Sequence, residues 1–151
     1  MTASVRLGEL GVTLPQVVTP LASYVPAVRA GNLVYTAGQL PMEAGQLARS
    51  GKVGAEVTPE EGKALARICA LNALAAVNAL VGIDAVLQVV KVVGFVASAP
   101  GFNGQPGVVN GASELLAQVF GDQGAHARSA VGVSELPLNA PVEVELIVEV
   151  S

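Results

Sequence analysis

The sequence predicts an α+β domain, a mostly antiparallel sheet with two helices packed on one face. Three observations carry this reading. Thr58-Pro59-Glu60-Glu61 is a helix start, and apolar residues recur after it at three- and four-residue spacing. A second run with the same period begins at Val108. The stretches around these two runs are strand-like and in places dense in valine, which gives the order ββ, loop, α, β, α, ββ.

Residues 24–28 and 33–37 are strand-like and flank Arg29-Ala30-Gly31-Asn32, a hairpin turn because Gly and Asn tolerate positive φ. Pro26 has no N–H to donate, so the first run is an edge or irregular strand. Residues 38–57 carry glycines at 38, 45, 51 and 54 with few bulky apolar groups. They read as a long loop with room for a short hairpin. Thr58 then caps a helix, Pro59 fits its first position and Glu61 completes a capping box. Leu65, Ile68, Cys69, Asn72, Ala76 and Leu80 follow the helical period, and Gly82 stops it. Asn72, alone among apolar neighbours, is expected to be a buried amide bonded to backbone. Residues 86–96 are nearly continuous in β-branched side chains, the pattern of a strand buried on both faces. Pro100 to Gly104 form a loop. Val108, Ala112, Leu115, Leu116, Val119 and Phe120 define the second helix, closed by Gly121. Residues 131–135 and 141–150 end the chain as two strands.

The length of 151 residues makes one domain, 1–151, with the first twenty residues an extension of no evident role. No internal repeat or dividing linker is visible. The chain is 52% hydrophobic and only 13% charged, against about 25% charged in ordinary domains. Such a chain is expected to cover apolar surface in a subunit interface. The net charge of −4 and the lack of a basic run exclude a broad electrostatic nucleic-acid footprint. Cys69 is the only cysteine, which excludes an internal disulfide and a Cys-rich metal site; among Ala, Leu and Ile it reads as an inert buried thiol. The N-terminus lacks the pattern of a signal peptide. Residues 85–99, the most apolar stretch, are interrupted by Gln88 and Lys91 and are too short to span a bilayer as a helix. A cytoplasmic protein with no membrane partner is the resulting expectation.

The chemistry concentrates in Ala127-Arg128-Ser129-Ala130, Leu136-Pro137 and Val142-Glu143-Val144-Glu145. An arginine framed by small and β-branched residues offers a planar fork of donors suited to a carboxylate ligand. Glu143 is a candidate partner or proton-transfer group. The alternation of Glu143, Glu145 and Glu149 with Val144, Leu146 and Val148 equally describes the solvated face of a half-buried strand.

Gly31-Asn32, Gly38-Gln39-Leu40-Pro41, Leu71-Asn72-Ala73-Leu74, Asn110 and the arginine block with its fifteen-residue spacing to Glu143 resemble the RidA/YjgF family. This family of reactive-intermediate deaminases is also labelled endoribonuclease L-PSP or translation-initiation inhibitor. The resemblance runs in order from Tyr24 to the C-terminus. It implies a chorismate-mutase-like fold assembled as a homotrimer, with active sites in clefts between subunits. It also implies hydrolysis of 2-imino or enamine acids to 2-keto acids and ammonia, as 2-iminobutanoate/2-iminopropanoate deaminases do, without metal or cofactor. By position, Arg128 would hold the substrate carboxylate and Glu143 would orient or deprotonate the attacking water. Ala130 would offer backbone groups near the imine, and Tyr24 would line the cleft. Gly31 would lie where a side chain would obstruct the ligand, and Asn110 falls at a family position on the second helix.

Four departures from the family pattern are visible, and two of them, His126 and the longer loop, resemble a divergent branch. His126, the only histidine, stands where deaminase-type members usually have proline; a lone histidine is more often structural, and the alternative is that it faces the cleft. One extra residue separates Asn110 from Arg128, and the glycine-rich loop 42–57 is longer. Ala130 replaces a frequent cysteine, a mild change where only backbone is needed. The alternative reading is a non-catalytic trimer that binds small carboxylates such as 2-keto acids as a sensor or partner protein.

Overall fold

The computed structural model describes all 151 residues, and it places a five-stranded sheet under two long helices. The chain opens with a short helix α1 (Ala3–Glu9), which the sequence did not announce. The hairpin β1 (Ala27–Ala30) and β2 (Leu33–Thr36) turns at Gly31-Asn32, so residues 24–26 precede the strand and Arg29 lies within it. The glycine-rich loop does contain a small hairpin, β3 (Met42–Glu43) with β4 (Gln46–Leu47). Then follow α2 (Pro59–Val81), β5 (Val86–Ala97), α3 (Gln105–Phe120), β6 (Ala127–Val133) and β7 (Val142–Val150).

The sheet order is β1-β2-β7-β5-β6, antiparallel except for the parallel pair of β5 and β6. The last two strands therefore do not form a hairpin. β5 lies between them, and β6 becomes an edge strand beginning at Ala127, four residues earlier than expected.

The start of α2 follows its sequence closely. Thr58 Oγ1 accepts from the Glu61 N–H, while the Glu61 carboxylate accepts from the Thr58 N–H. By length and composition α2 could cross a membrane, but here Leu65, Cys69, Ala73 and Leu74 are buried in the core. With Leu115 and Leu116 of α3 they cover Val89, Val92, Val96, Val144, Leu146 and Val148 of the sheet. Each fully buried leucine contributes about 2–3 kcal/mol by leaving water. Burial pushes the Cys69 thiol well above its ordinary range, which leaves it inert. Asn72 donates to the carbonyls of Leu40 and Met42, tying α2 to the chain ahead of β3.

β5 is not buried on both faces. Its helix-facing residues Val89, Val92 and Val96 are fully buried, whereas Leu87 and Val90 are 49% and 39% exposed on the single chain. The far face of the sheet is uncovered and partly apolar. Along it the register aligns Val28, Tyr35, Ile147, Lys91 and Ala127 in one row.

The two helices approach through Gly111, where a Cβ would fall 1.9 Å from the Lys63 carbonyl oxygen. Helix propensity alone favours alanine there by about 1 kcal/mol, but backbone cannot yield as a side chain can. Gly111→Ala is expected to destabilise the fold by about 1–3 kcal/mol, read as a lower urea midpoint at unchanged slope.

Candidate functional site

Arg128 pairs with Val92 on β5, which in turn pairs with Leu146 on β7. Both neighbours are buried under the helices, so the arginine leaves the sheet on the helix side and meets α3. Its Nη1 donates to Asn110 Oδ1 at 2.8 Å and to Ser113 Oγ at 3.2 Å, and its Nη2 donates to the Pro106 carbonyl at 3.1 Å. Asn110 and Ser113 are three apart on α3 and so share a face. Three of five guanidinium donors are committed, which leaves Nε–H and one Nη2–H. All three acceptors are neutral. The ion pairs of the chain are Arg49–Glu61, Lys52–Glu135 and Lys63–Glu114, and none offers Arg128 a counter-ion. A held, half-buried cation with two adjacent donors free is suited to an anionic ligand.

His126 is bonded at both ends of its ring within the chain. Its Nδ1 bonds the Gly124 carbonyl at 2.6 Å, and its Nε2 bonds Ser113 Oγ at 2.8 Å. Both ring nitrogens are therefore occupied within the chain, as in a structural histidine. Ala130 packs against the core beside Gly94. Because β6 has a neighbour on one side only, alternate backbone groups along it remain open.

Glu143 lies in a different setting. On β7 the residues 142, 144, 146, 148 and 150 are buried under the helices, while 143, 145, 147 and 149 point to the uncovered face. Glu143 aligns there with Phe95 and Val131. Its carboxylate lies against Gly38, where a Cβ would sit 2.6 Å from Oε1. No hydrogen bond within the chain satisfies it. Burial, with a lesser contribution from Glu145, raises its pKa above the ordinary carboxylate value.

Tyr24 is 45% exposed, and its hydroxyl accepts from the Leu21 N–H at 3.2 Å. It shares a small depression with Gly38 and Gln39. Through Val18, Leu21 and Met42 that depression adjoins a cavity of about 510 Å³ between residues 15–21 and the β3–β4 turn. Tyr24, Gly38 and Glu143 thus belong to one locus.

Gly31 does not belong to it. It is exposed in the β1–β2 turn with φ +62°, and a Cβ there would meet open space. The positive φ of the turn requires that glycine. A close approach within the chain occurs instead at Gly38, against the Glu143 carboxylate. Ser113 was also missed, although its spacing from Asn110 was readable once Arg128 was known to face α3.

The structure therefore brings together Arg128, Asn110, Ser113 and His126 on the helix side. It brings together Tyr24, Gly38 and Glu143 elsewhere, and the sheet separates the guanidinium from the carboxylate. Within one chain the two groups cannot grip one small molecule.

A family model described as Endoribonuclease L-PSP matches residues 15–150. Protein TCP17 of Trypanosoma cruzi is 43% identical over 148 residues, 97% of this chain and 92% of that protein. A 2-iminobutanoate/2-iminopropanoate deaminase of Dermatophagoides farinae is 31% identical over 137 residues, 91% of this chain and 93% of that protein. Among solved structures, the Agrobacterium tumefaciens protein Atu1372, of unknown function, superposes with a TM-score of 0.91 at 47% identity, covering 99% of this chain and 92% of that one. The YjgF gene product of E. coli superposes with a TM-score of 0.63 at 25% identity, over 89% of this chain and 98% of that one.

Proposed function

The chain belongs to the endoribonuclease L-PSP (RidA/YjgF) family, and from that premise we propose that it hydrolyses 2-imino acids at clefts shared between neighbouring chains of a homotrimer. The observation that carries this is the division of the site. Arg128 has donors to spare at the edge strand β6, and Glu143, half-buried and unbonded, lies on the uncovered apolar face. A cyclic assembly that lays the β6 edge of one chain over the open face of the next completes the site and covers Val28, Tyr35 and Val131.

In that cleft the Nε–H and free Nη2–H of Arg128 hold the substrate carboxylate side by side. Glu143 of the neighbouring chain takes a proton from a water as its oxygen bonds to C2 of the iminium. Glu143 returns that proton to the amine nitrogen of the carbinolamine, the C–N bond breaks, and the departing ammonia takes the hydroxyl proton, so that iminium plus water gives keto acid plus ammonium. The imine carbon is already electrophilic, so orientation and general-base help of about 10²–10⁴-fold suffice. A raised pKa suits Glu143 to this role, since a stronger base is obtained from the same carboxylate. The deaminase relative supports the reaction class. The net charge of −4 argues against the ribonuclease activity that the family description suggests.

A second reading is favoured by one observation: the arginine half of the site is complete within each chain. A trimer that binds 2-keto acids without turnover would need no more than that. The test is an amino-acid oxidase supplying 2-iminopropionate or the leucine-derived imine, with semicarbazide trapping what remains. Wild type is expected to lower the trapped imine and Arg128→Ala to leave it at the enzyme-free level. Equal trapping with and without wild type across several imines would reject the reaction in favour of carboxylate binding alone.

A further inference from the structure

We propose that His126, as its Nδ1–H tautomer, is a positioning residue that fixes Arg128 through the hydroxyl of Ser113. The inference rests on the reading of Arg128 as the carboxylate-binding residue. The protons of this cluster can be assigned in one order. The Gly124 carbonyl only accepts, so the 2.6 Å bond to it requires a proton on Nδ1. In a neutral ring Nε2 is then an acceptor, and the only donor within reach is the Ser113 hydroxyl, 2.8 Å away. The same hydroxyl oxygen accepts from Arg128 Nη1, which can only donate. Guanidinium, hydroxyl, imidazole and carbonyl therefore form one directional chain of hydrogen bonds, each polarising the next.

The geometry gives this chain a task. Asn110 and Pro106 hold the guanidinium from one side, and Ser113 reaches the same Nη1 from further along α3. A serine hydroxyl is a rotor, and by itself it would fix nothing. With His126 as its acceptor, the hydroxyl is locked with its lone pair towards Nη1. Gly124, which anchors the ring, is buried in the turn 121–124 at the end of α3. The histidine thus references the guanidinium plane to the helix and leaves Nε–H and one Nη2–H facing out of the cluster. Its place directly before β6 lets it reach α3 while Arg128, two residues on, does the same.

His126 is the only histidine in the chain, so long-range proton–nitrogen spectra report its ring without ambiguity. Protonated Nδ1 and unprotonated Nε2 are expected, together with protected Arg128 Nη1 protons that lose their protection in Ser113→Ala and His126→Phe. The opposite tautomer, or an Arg128 signal indifferent to both substitutions, would overturn the relay. With 2-oxobutanoate as probe, each single substitution is expected to raise Kd about threefold to tenfold. The double variant should bind no more weakly than the worse single, and His126→Gln, which keeps an acceptor, should recover part of the loss. Simple addition of the two effects, or a His126→Phe effect without a Ser113→Ala effect, would mean a merely structural histidine. If wild type hydrolyses no imine while these spectra and affinities hold, the reaction is wrong and the relay stands. If wild type does not bind the keto acid at all, the positioning role falls with the arginine assignment. Circular dichroism of each variant separates these outcomes from misfolding.

Discussion

Arg128→Ala is expected to lower kcat/KM for imine hydrolysis by about 10²–10³-fold, the loss of a charge-assisted grip worth about 3–4 kcal/mol. The affinity for 2-oxobutanoate, measured by calorimetry, should fall with it. Arg128→Lys should recover less than a tenth of the activity, because an ammonium cannot contact three acceptors on α3 and still present two parallel donors. The fold should tolerate either change to within about 1 kcal/mol, since the guanidinium is half-exposed and has no ion-pair partner to orphan. Full activity in Arg128→Ala would remove the basis for the site.

Glu143→Gln is the second large effect, and it acts on a different parameter. Loss of the general base should reduce kcat by about 10²–10⁴-fold, with the affinity for the keto acid nearly unchanged. Stability should move the other way. The folded carboxyl is raised above its unfolded value, so the folded state holds that proton more tightly. Its favourable contribution is present in full below the unfolded pKa and is lost as pH rises through the folded one. At neutral pH the ionised glutamate therefore costs stability that glutamine does not. Glu143→Gln should melt higher than wild type near pH 7, and the difference should shrink as pH falls well below the ordinary carboxylate value, where the glutamate is neutral in both states. A difference that persists unchanged in acid would mean that packing, not charge, separates the two.

The features of the fold that were written locally were readable from the sequence. Thr58-Pro59-Glu60-Glu61 specifies its helix start by mutual capping, and Gly31-Asn32 specifies its turn by positive φ. Pairing across distance was not readable. Nothing near Ala127 states that β6 will run parallel to β5, so the strand's start was set at residue 131 and Arg128 was not placed on the helix side. α1 has only seven residues and a glycine within them; Leu7 in the core and the Ser4–Asp84 hydrogen bonds hold it in place, and both are long-range. The continuous β-branched run of β5 signalled burial on two faces, but one chain covers only the first. That mismatch and the low charge content describe the same uncovered surface.

The site was legible in its parts and not in its arrangement. Arg128 stood out by residue type and Glu143 by its family position, yet position along the chain says nothing about which face each occupies. Strand alternation decided that, through the pairing of Arg128 with Val92 and of Glu143 with Phe95. Gly31 was named by its family position, and Gly38 was not singled out because a turn glycine and a glycine under a carboxylate look alike until a neighbour is known. His126 was conspicuous as a lone histidine, but its orientation depended on Gly124 and Ser113.

The central claim, that one reaction uses Arg128 of one chain and Glu143 of the next, is tested by mixing the two inactive variants. Arg128→Ala and Glu143→Gln would be coexpressed in equal amounts, with hybrid assemblies confirmed by native mass spectrometry. Every hybrid trimer then contains one cleft with both groups intact, so random assembly should restore about a quarter of wild-type imine hydrolysis. Activity no greater than that of the parents in verified hybrids would contradict the shared cleft.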